Sequence, residues 1–352
     1  MSHRLLPILL ALVCWAAGPA AALADEQAEE AGHGADRSAI PDFSYAEVVD
    51  GTDVPDVPER TVIRRAYAST MVATTWYRAW NGRIRTMLVA YPRNPGLRRI
   101  PLLISFHGAG GFAACPKRFR DVPGRYRFAV VCLDGQGPST RGFSYADARH
   151  LADHAAIPRL LRERLPRMRI DRRRIVAGGS SMGGQEALAF AARYPTMLSA
   201  VIAVDAPADL GERYWHLSRA KQHALVADCG GTPTYAPGCY AERSPLHLAD
   251  RLAASSLGLH LYWSARDAVN RPNQMPALAR AIRAANPARA FTIRIGTWNH
   301  GGAWSPRAGN TEWLADVGLI PDGERAATRF TAGLRVEVDA ETWTDDLPAF
   351  DG

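Results

Sequence analysis

An α/β fold, with a mostly parallel twisted sheet, helices on both faces and a small cap insertion, is what this sequence predicts. Three observations predict it: short, nearly continuous apolar runs recur along the chain, helical segments separate them, and one early pair of strands is joined by Asn81-Gly82. Strands covered on both faces read as unbroken apolar runs, and parallel strands need a helical crossover between them.

Taken in order, residues 74–80 and 83–91 read as a hairpin, because Asn-Gly accepts the two positive φ angles of a tight turn. These strands supply an antiparallel edge. Parallel strands are expected at 102–106, 128–133, 175–177, 200–204, 259–263 and 291–295. Helical spacing covers 145–165, with a break at Pro158, then 184–193, 274–285 and a short helix at 311–317. The stretch between Val204 and Leu259 is too long for an ordinary strand-to-helix connection, so a cap insertion is assigned to about 206–257. No internal repeat is evident.

The amino terminus reads differently. His3-Arg4 precede an apolar stretch from Leu5 to Ala17, then Gly18-Pro19 and the small-residue site Ala22-Leu23-Ala24. This predicts a signal peptide over 1–24, cleaved after Ala24, and a secreted or periplasmic protein. Cys14 follows Val13, where a lipoprotein signal would carry a small residue, so lipid anchoring is not expected. No later stretch approaches the ~20 apolar residues of a membrane-spanning helix, and stable membrane insertion is not expected either. Residues 25–40 are acidic, Ala/Gly-rich and without apolar period, a disordered lead-in. The catalytic-type domain then runs over 41–318, with a C-terminal extension at 319–352.

The chain has 352 residues, 47% hydrophobic and 22% charged, with a formal net charge of +7, so a large core is affordable and nucleic acid must be considered. Its arginines are scattered and interleaved with acids, as in Arg159-Leu160-Leu161-Arg162-Glu163-Arg164, while only Lys117 and Lys221 supply lysine. That is a compositional bias with no basic patch, and no nucleic-acid partner is expected. Signal cleavage leaves four cysteines in an oxidising compartment. Cys229 and Cys239 enclose a turn-rich loop and are expected to pair. Cys132, within an apolar strand, reads as a buried thiol that Cys115 either reaches or leaves free. No CxxC spacing or His/Cys cluster suggests a metal site, and His150 and His154, four apart, read as a solvated helix face.

Chemistry is carried by Gly179-Ser180-Ser181-Met182-Gly183-Gly184, directly after the apolar stretch Arg174 to Gly178. Glycines two positions before and after a serine remove the side chains that would collide in a sharp strand-to-helix turn, so the nucleophile is Ser181. Ser180 is the poorer choice, since Met182 would stand where the second glycine belongs. His300, in Asn299-His300-Gly301-Gly302 after the last parallel strand, is the expected base. Asp267, after the strand 259–263, is the expected acid, with Asp205 at the end of the preceding strand as its rival. Loops after the carboxyl ends of parallel strands open on one sheet edge, so these residues can converge. The glycine-rich run Phe106-His107-Gly108-Ala109-Gly110-Gly111 reads as an oxyanion loop, in which the amide of Ala109 or Gly110 would act with that of Met182. His107 would brace the loop. Trp298 and Trp304 flank His300 and either line the substrate pocket or pack in the core, the second being the reading for Trp263.

Together these motifs, in the chain order Ser, Asp, His, resemble the α/β-hydrolase superfamily over roughly residues 80–318. The branch they most resemble is the secreted esterases, including polyhydroxyalkanoate depolymerase-like, feruloyl esterase-like and acetylxylan esterase-like enzymes. Arg243-Ser244-Pro245 ahead of a short helix is also similar to the catalytic domain of prolyl-oligopeptidase-type hydrolases. The resemblance implies a serine esterase that needs no cofactor and acts on a small-molecule or polymeric ester. Two departures stand against a simple transfer. The acid strand reads Leu261-Tyr262-Trp263-Ser264-Ala265 where relatives often carry a His-Gly pair, and the residues ahead of the core are too few for a propeller. A secreted peptidase or amidase, and a non-catalytic envelope-binding protein on the same scaffold, are the alternatives.

Overall fold

Apolar side chains alternate along the central strands between two faces, and each face is closed by its own helices. The computed structural model describes residues 62–110, 115–134, 142–270, 274–304, 306, 311–324 and 334–338; the signal-peptide and lead-in expectations lie outside them. Ten strands form one sheet: β1 (Val62–Tyr67), β2 (Thr70–Arg78), β3 (Ile84–Pro92), β4 (Ile100–Phe106), β5 (Ala129–Leu133), β6 (Ile170–Ser180), β7 (Ala200–Val204), β8 (Gly258–Ser264), β9 (Phe291–Gly296) and β10 (Leu334–Val338). Their order is β1-β2-β3-β5-β4-β6-β7-β8-β9-β10. The six from β5 to β9 in that order are parallel, and the hairpin at one edge and β10 at the other are antiparallel. This is the mixed, mostly parallel sheet that the sequence predicts.

Leu102, Ile104, Val131, Ile175, Ala177, Val201 and Leu261 point to one face. There they meet α3 (Ala148–Ala155), α4 (Ile157–Arg164), α5 (Met182–Arg193), α9 (Ala249–Ala254) and α10 (Gln274–Ala285). Leu103, Val130, Cys132, Val176, Ile202 and Tyr262 point to the other, against α1 (Cys115–Phe119), α2 (Val122–Tyr126) and α11 (Glu312–Asp316). The period of two along each strand sorts the residues, and each fully buried Leu, Ile or Phe contributes about 1.5–3 kcal/mol. Helix α5 is buried on all sides, which explains why Ala187, Leu188, Ala189, Phe190 and Ala191 carry no polar stripe.

Strands β1 and β10 were not expected from the sequence, and further features bear on its reading. Strand β6 begins at Ile170, five residues early, because its first half (Asp171 to Arg174) is polar and mostly exposed. Cys115 reaches Cys132 in a disulfide, so neither is a free thiol, and Cys229 and Cys239 are bridged as expected. The cap holds three helices the sequence does not announce, α6 (Leu210–Tyr214), α7 (Arg219–Cys229) and α8 (Pro237–Arg243), around a satellite cluster of Tyr145, Met182, Leu210, Tyr214, Leu217, Leu225 and Tyr240.

The solvated-face reading of His150 and His154 is also corrected. Both are 1% exposed, the His154 ring stacks on Phe106 at 4.1 Å, and its Nδ1 lies 3.0 Å from the His150 carbonyl. Aromatic stacking and a backbone acceptor let a histidine replace an apolar residue in the core. Burial holds both rings neutral, with His154 pushed down to about 3. A native value below the unfolded one means that the unfolded chain takes up the proton first. The stability contributed by a neutral His154 is therefore fully present above the ordinary histidine range and is lost as pH falls toward 3. Asp153, raised by burial to about 6, has the opposite slope, so the comparison must be internal. The urea midpoint should fall less steeply between about pH 6.5 and 4 in His154→Phe than in the native protein; equal slopes would remove His154 from the account.

Candidate active site

Four consecutive neighbours in the sheet, β6, β7, β8 and β9, each end in a loop that carries one candidate residue. Ser181 follows β6 and precedes α5 with φ 56° and ψ −131°, a conformation L-residues rarely adopt. The turn is held from below: the Ser181 amide donates to the Val204 carbonyl at 2.9 Å, while the Ser181 carbonyl accepts from the amides of Gly184 and Gln185. The glycines are required by contact. A Cβ on Gly179 would stand 2.5 Å from the Gly183 carbonyl carbon, and one on Gly183 would stand 2.5 Å from the Phe106 oxygen and 2.8 Å from that of His107. The oxyanion-type loop thus lies directly against the first turn of α5.

Within that loop the two candidate donors separate. The Gly110 amide donates to the Gly142 carbonyl at 2.9 Å, and His107 Nδ1 lies 2.9 Å from the Gly108 carbonyl. Gly110 is thus engaged in holding the loop, which makes Ala109 the better of the two. Ala109 packs against the cap cluster that also contains the Met182 side chain. Met182 opens α5, where helix geometry leaves amides without an intrahelical acceptor.

Asp267 and His300 meet. The ring Nδ1 of His300 is 2.9 Å from each carboxylate oxygen of Asp267, and both side chains are buried. Asp267 Oδ1 also accepts from the amides of Val269, at 2.9 Å, and Asn270, at 3.0 Å. A carboxylate held this way keeps the ring proton on Nδ1 and leaves Nε2 as the basic nitrogen.

Asp205 is not the partner of Nδ1, but it is close. It sits at φ 49°, 1% exposed. Its Oδ1 accepts from the Ser264 amide at 2.7 Å, and its Oδ2 accepts from Trp298 Nε1 and the Gly301 amide, each at 2.8 Å. One oxygen each of Asp205 and Asp267 and a ring nitrogen of His300 lie within 4.8 Å of one another, which is the spacing of a cation site. The carboxylate oxygens already accept from N–H donors, so the set reads as a hydrogen-bonded acid–base cluster.

Of the two readings left open for the tryptophans, the structure shows the core one. Trp304 is fully buried, stacks on Trp313 at 4.4 Å and packs where a Gly178 Cβ would stand 2.6 Å from its ring. Trp298 is 2% exposed, lies over Gly296 and turns its N–H to Asp205.

One buried network at the site has no sequence signal. Glu186, on α5, accepts from the Ser144 hydroxyl and from the Ala146 amide, at 3.2 Å. Beside it Arg243, at the end of α8, pairs with Asp147 at 3.1 Å, and Gln185 Nε2 donates to the Arg243 carbonyl at 2.9 Å. The cap is therefore tied to α5, the helix that follows Ser181. The nearest sequence signal was Arg243-Ser244-Pro245, whose polar residues were readable but whose partners, some fifty to a hundred residues distant, were not.

No family model matches the chain, and no curated protein sequence does. Solved structures do. An S-formylglutathione hydrolase from Agrobacterium tumefaciens aligns with TM-score 0.59 at 13% identity, covering 74% of this chain and 99% of that one. A fluorophosphonate-binding serine hydrolase of Staphylococcus aureus aligns with TM-score 0.55 at 14% identity, covering 70% and 98%. A puromycin-hydrolyzing peptidase from Mycobacterium tuberculosis aligns with TM-score 0.56 at 19% identity, covering 77% of this chain but 41% of that one.

Proposed function

The chain has the α/β-hydrolase fold, and from that premise we propose that it is a serine hydrolase that cleaves carboxylic esters through Ser181, His300 and Asp267. The observation that carries the reading is the His300–Asp267 pair, joined at 2.9 Å on the sheet edge that also bears the strained Ser181 turn. Asp267 holds the Nδ1–H tautomer, and His300 Nε2 takes the Ser181 proton as the hydroxyl oxygen bonds to the ester carbonyl carbon. The amides of Met182 and Ala109 receive the charge that develops on the carbonyl oxygen, each donor being worth about 3–4 kcal/mol in such sites. Collapse of the tetrahedral intermediate breaks the bond to the alcohol, which leaves with the proton from His300. Water then repeats the sequence on the acyl-enzyme, and no cofactor takes part.

The neighbours include an S-formylglutathione hydrolase, matched over 99% of its length, and a puromycin-hydrolyzing peptidase, of which the chain spans 41%. The S-formylglutathione hydrolase among the neighbours supports the ester reading, and the peptidases among them keep amide cleavage as the second. Two disulfides fit an oxidising compartment, in line with a secreted or periplasmic enzyme, and no helix among the described residues is long and apolar enough to cross a membrane. A panel of short- and long-chain aryl esters, feruloyl and acetylated sugars, polyesters and aminoacyl-arylamides, each run beside Ser181→Ala, tests the choice. Esters should be turned over and the arylamides should stay at the Ser181→Ala background. The reverse order would establish the peptidase reading.

A further inference from the structure

Asp205 does more at this site than complete a loop. Its carboxylate joins three segments: its own at the end of β7, Ser264 at the end of the acid strand β8, and Trp298 and Gly301 on either side of His300. Its backbone adds two more ties. Its amide donates to the Tyr262 carbonyl at 2.9 Å, and its carbonyl accepts from Asn270 Nδ2 at 2.6 Å, three residues beyond Asp267. The spacing of Asp267 and His300 is thus set through Asp205. With an oxygen of Asp205 inside the same 4.8 Å cluster as the His300 ring, the site holds two carboxyls for one imidazole.

We propose that Asp205 is a second orienting acid of His300, a positioning residue that fixes the base loop and stands in for Asp267 when the charge of Asp267 is removed. The proposal rests on the serine-hydrolase reading of the site. The ionisable groups acting on Asp205 are Asp267 and His300; its other partners are neutral N–H donors. Burial first, and then the Asp267 charge, push the Asp205 carboxyl up to about 7, while His300 acts in the opposite direction. In Asp267→Asn the second of these upward influences is gone. Ionisation of Asp205 is thereby favoured relative to the native protein, and the imidazolium formed as Ser181 attacks has this second carboxyl group, held by three N–H donors, to face.

The test is a double-mutant cycle on kcat with an activated aryl ester, with thermal melts confirming folded variants. Where a triad acid has no reserve, its conversion to the amide costs on the order of 10⁴-fold in kcat. Here Asp267→Asn should cost only about 10²-fold, and Asp205→Asn about tenfold with KM within about twofold of the native value. The double variant should fall to the 10⁴-fold level, about tenfold below the product of the single losses. A residue acting through structure alone would multiply, so simple multiplication overturns the proposal. Should Asp205→Asn fail to fold, Asp267→Asn alone decides it: a loss on the order of 10⁴-fold overturns the reserve role. Fluorophosphonate uptake by the native protein separates the levels. Absence of labelling at Ser181 removes both the hydrolase reading and this proposal; labelling with multiplicative losses removes this proposal alone.

Discussion

Ser181→Ala should abolish the proposed ester turnover, with kcat lower on the order of 10⁶-fold, and leave the fold intact. The size follows from the chemistry, because no acyl-enzyme forms without the hydroxyl. The selectivity follows from the structure. The Ser181 side chain caps no amide of the helix it precedes, and the turn is held by backbone bonds to Val204, Gly184 and Gln185 that alanine keeps. Stability should change by no more than about 0.5 kcal/mol. Ser180→Ala serves as the contrast, since Ser180 is the buried last residue of β6 and should retain turnover. Steady-state kinetics with a denaturant titration reads both quantities. Turnover in Ser181→Ala near the native level would assign the chemistry elsewhere.

The second large effect is at His300. On the proposed mechanism His300→Ala removes the group that takes the proton, and the loss in kcat should again be on the order of 10⁶-fold. Because a nucleophile and its base act as a unit, Ser181→Ala/His300→Ala should be no slower than either single variant. Losses that multiply would mean that the two residues act in separate steps. His300→Ala also leaves Asp267 buried without its imidazole, though the amides of Val269 and Asn270 still bond it. Unlike Ser181→Ala, this variant should be less stable than the native protein, which a thermal melt would show.

Local pattern made most of the scaffold legible. The parallel strands were readable because each is buried on both faces and so carries an unbroken apolar run; the hairpin was readable from Asn81-Gly82, although its connection runs over 79–83 and only Gly82 of the two takes a positive φ. Strand β1, with Arg64 and Arg65 exposed at the sheet edge, had no such run, and neither did the polar first half of β6. The cap helices are short and interrupted by Gly and Pro, so no period builds up in them. At the site, the strained serine and the Asp–His pair left signals because their chemistry demands glycines and strand-end loops. For the tryptophans beside His300 the sequence left pocket and core open, since proximity in sequence to a base does not say which side of the sheet a ring covers. The roles of Asp205 and Glu186 depend on partners far along the chain, and no local motif encodes those.

The central claim is that one serine, Ser181, is activated by the His300–Asp267 pair. Labelling with a fluorophosphonate, followed by peptide mass mapping, tests it most directly. The account predicts a single covalent adduct on Ser181, formed by the native protein and by Ser180→Ala, and lost in Ser181→Ala and His300→Ala. An unlabelled native protein, or an adduct that persists in Ser181→Ala, would contradict it.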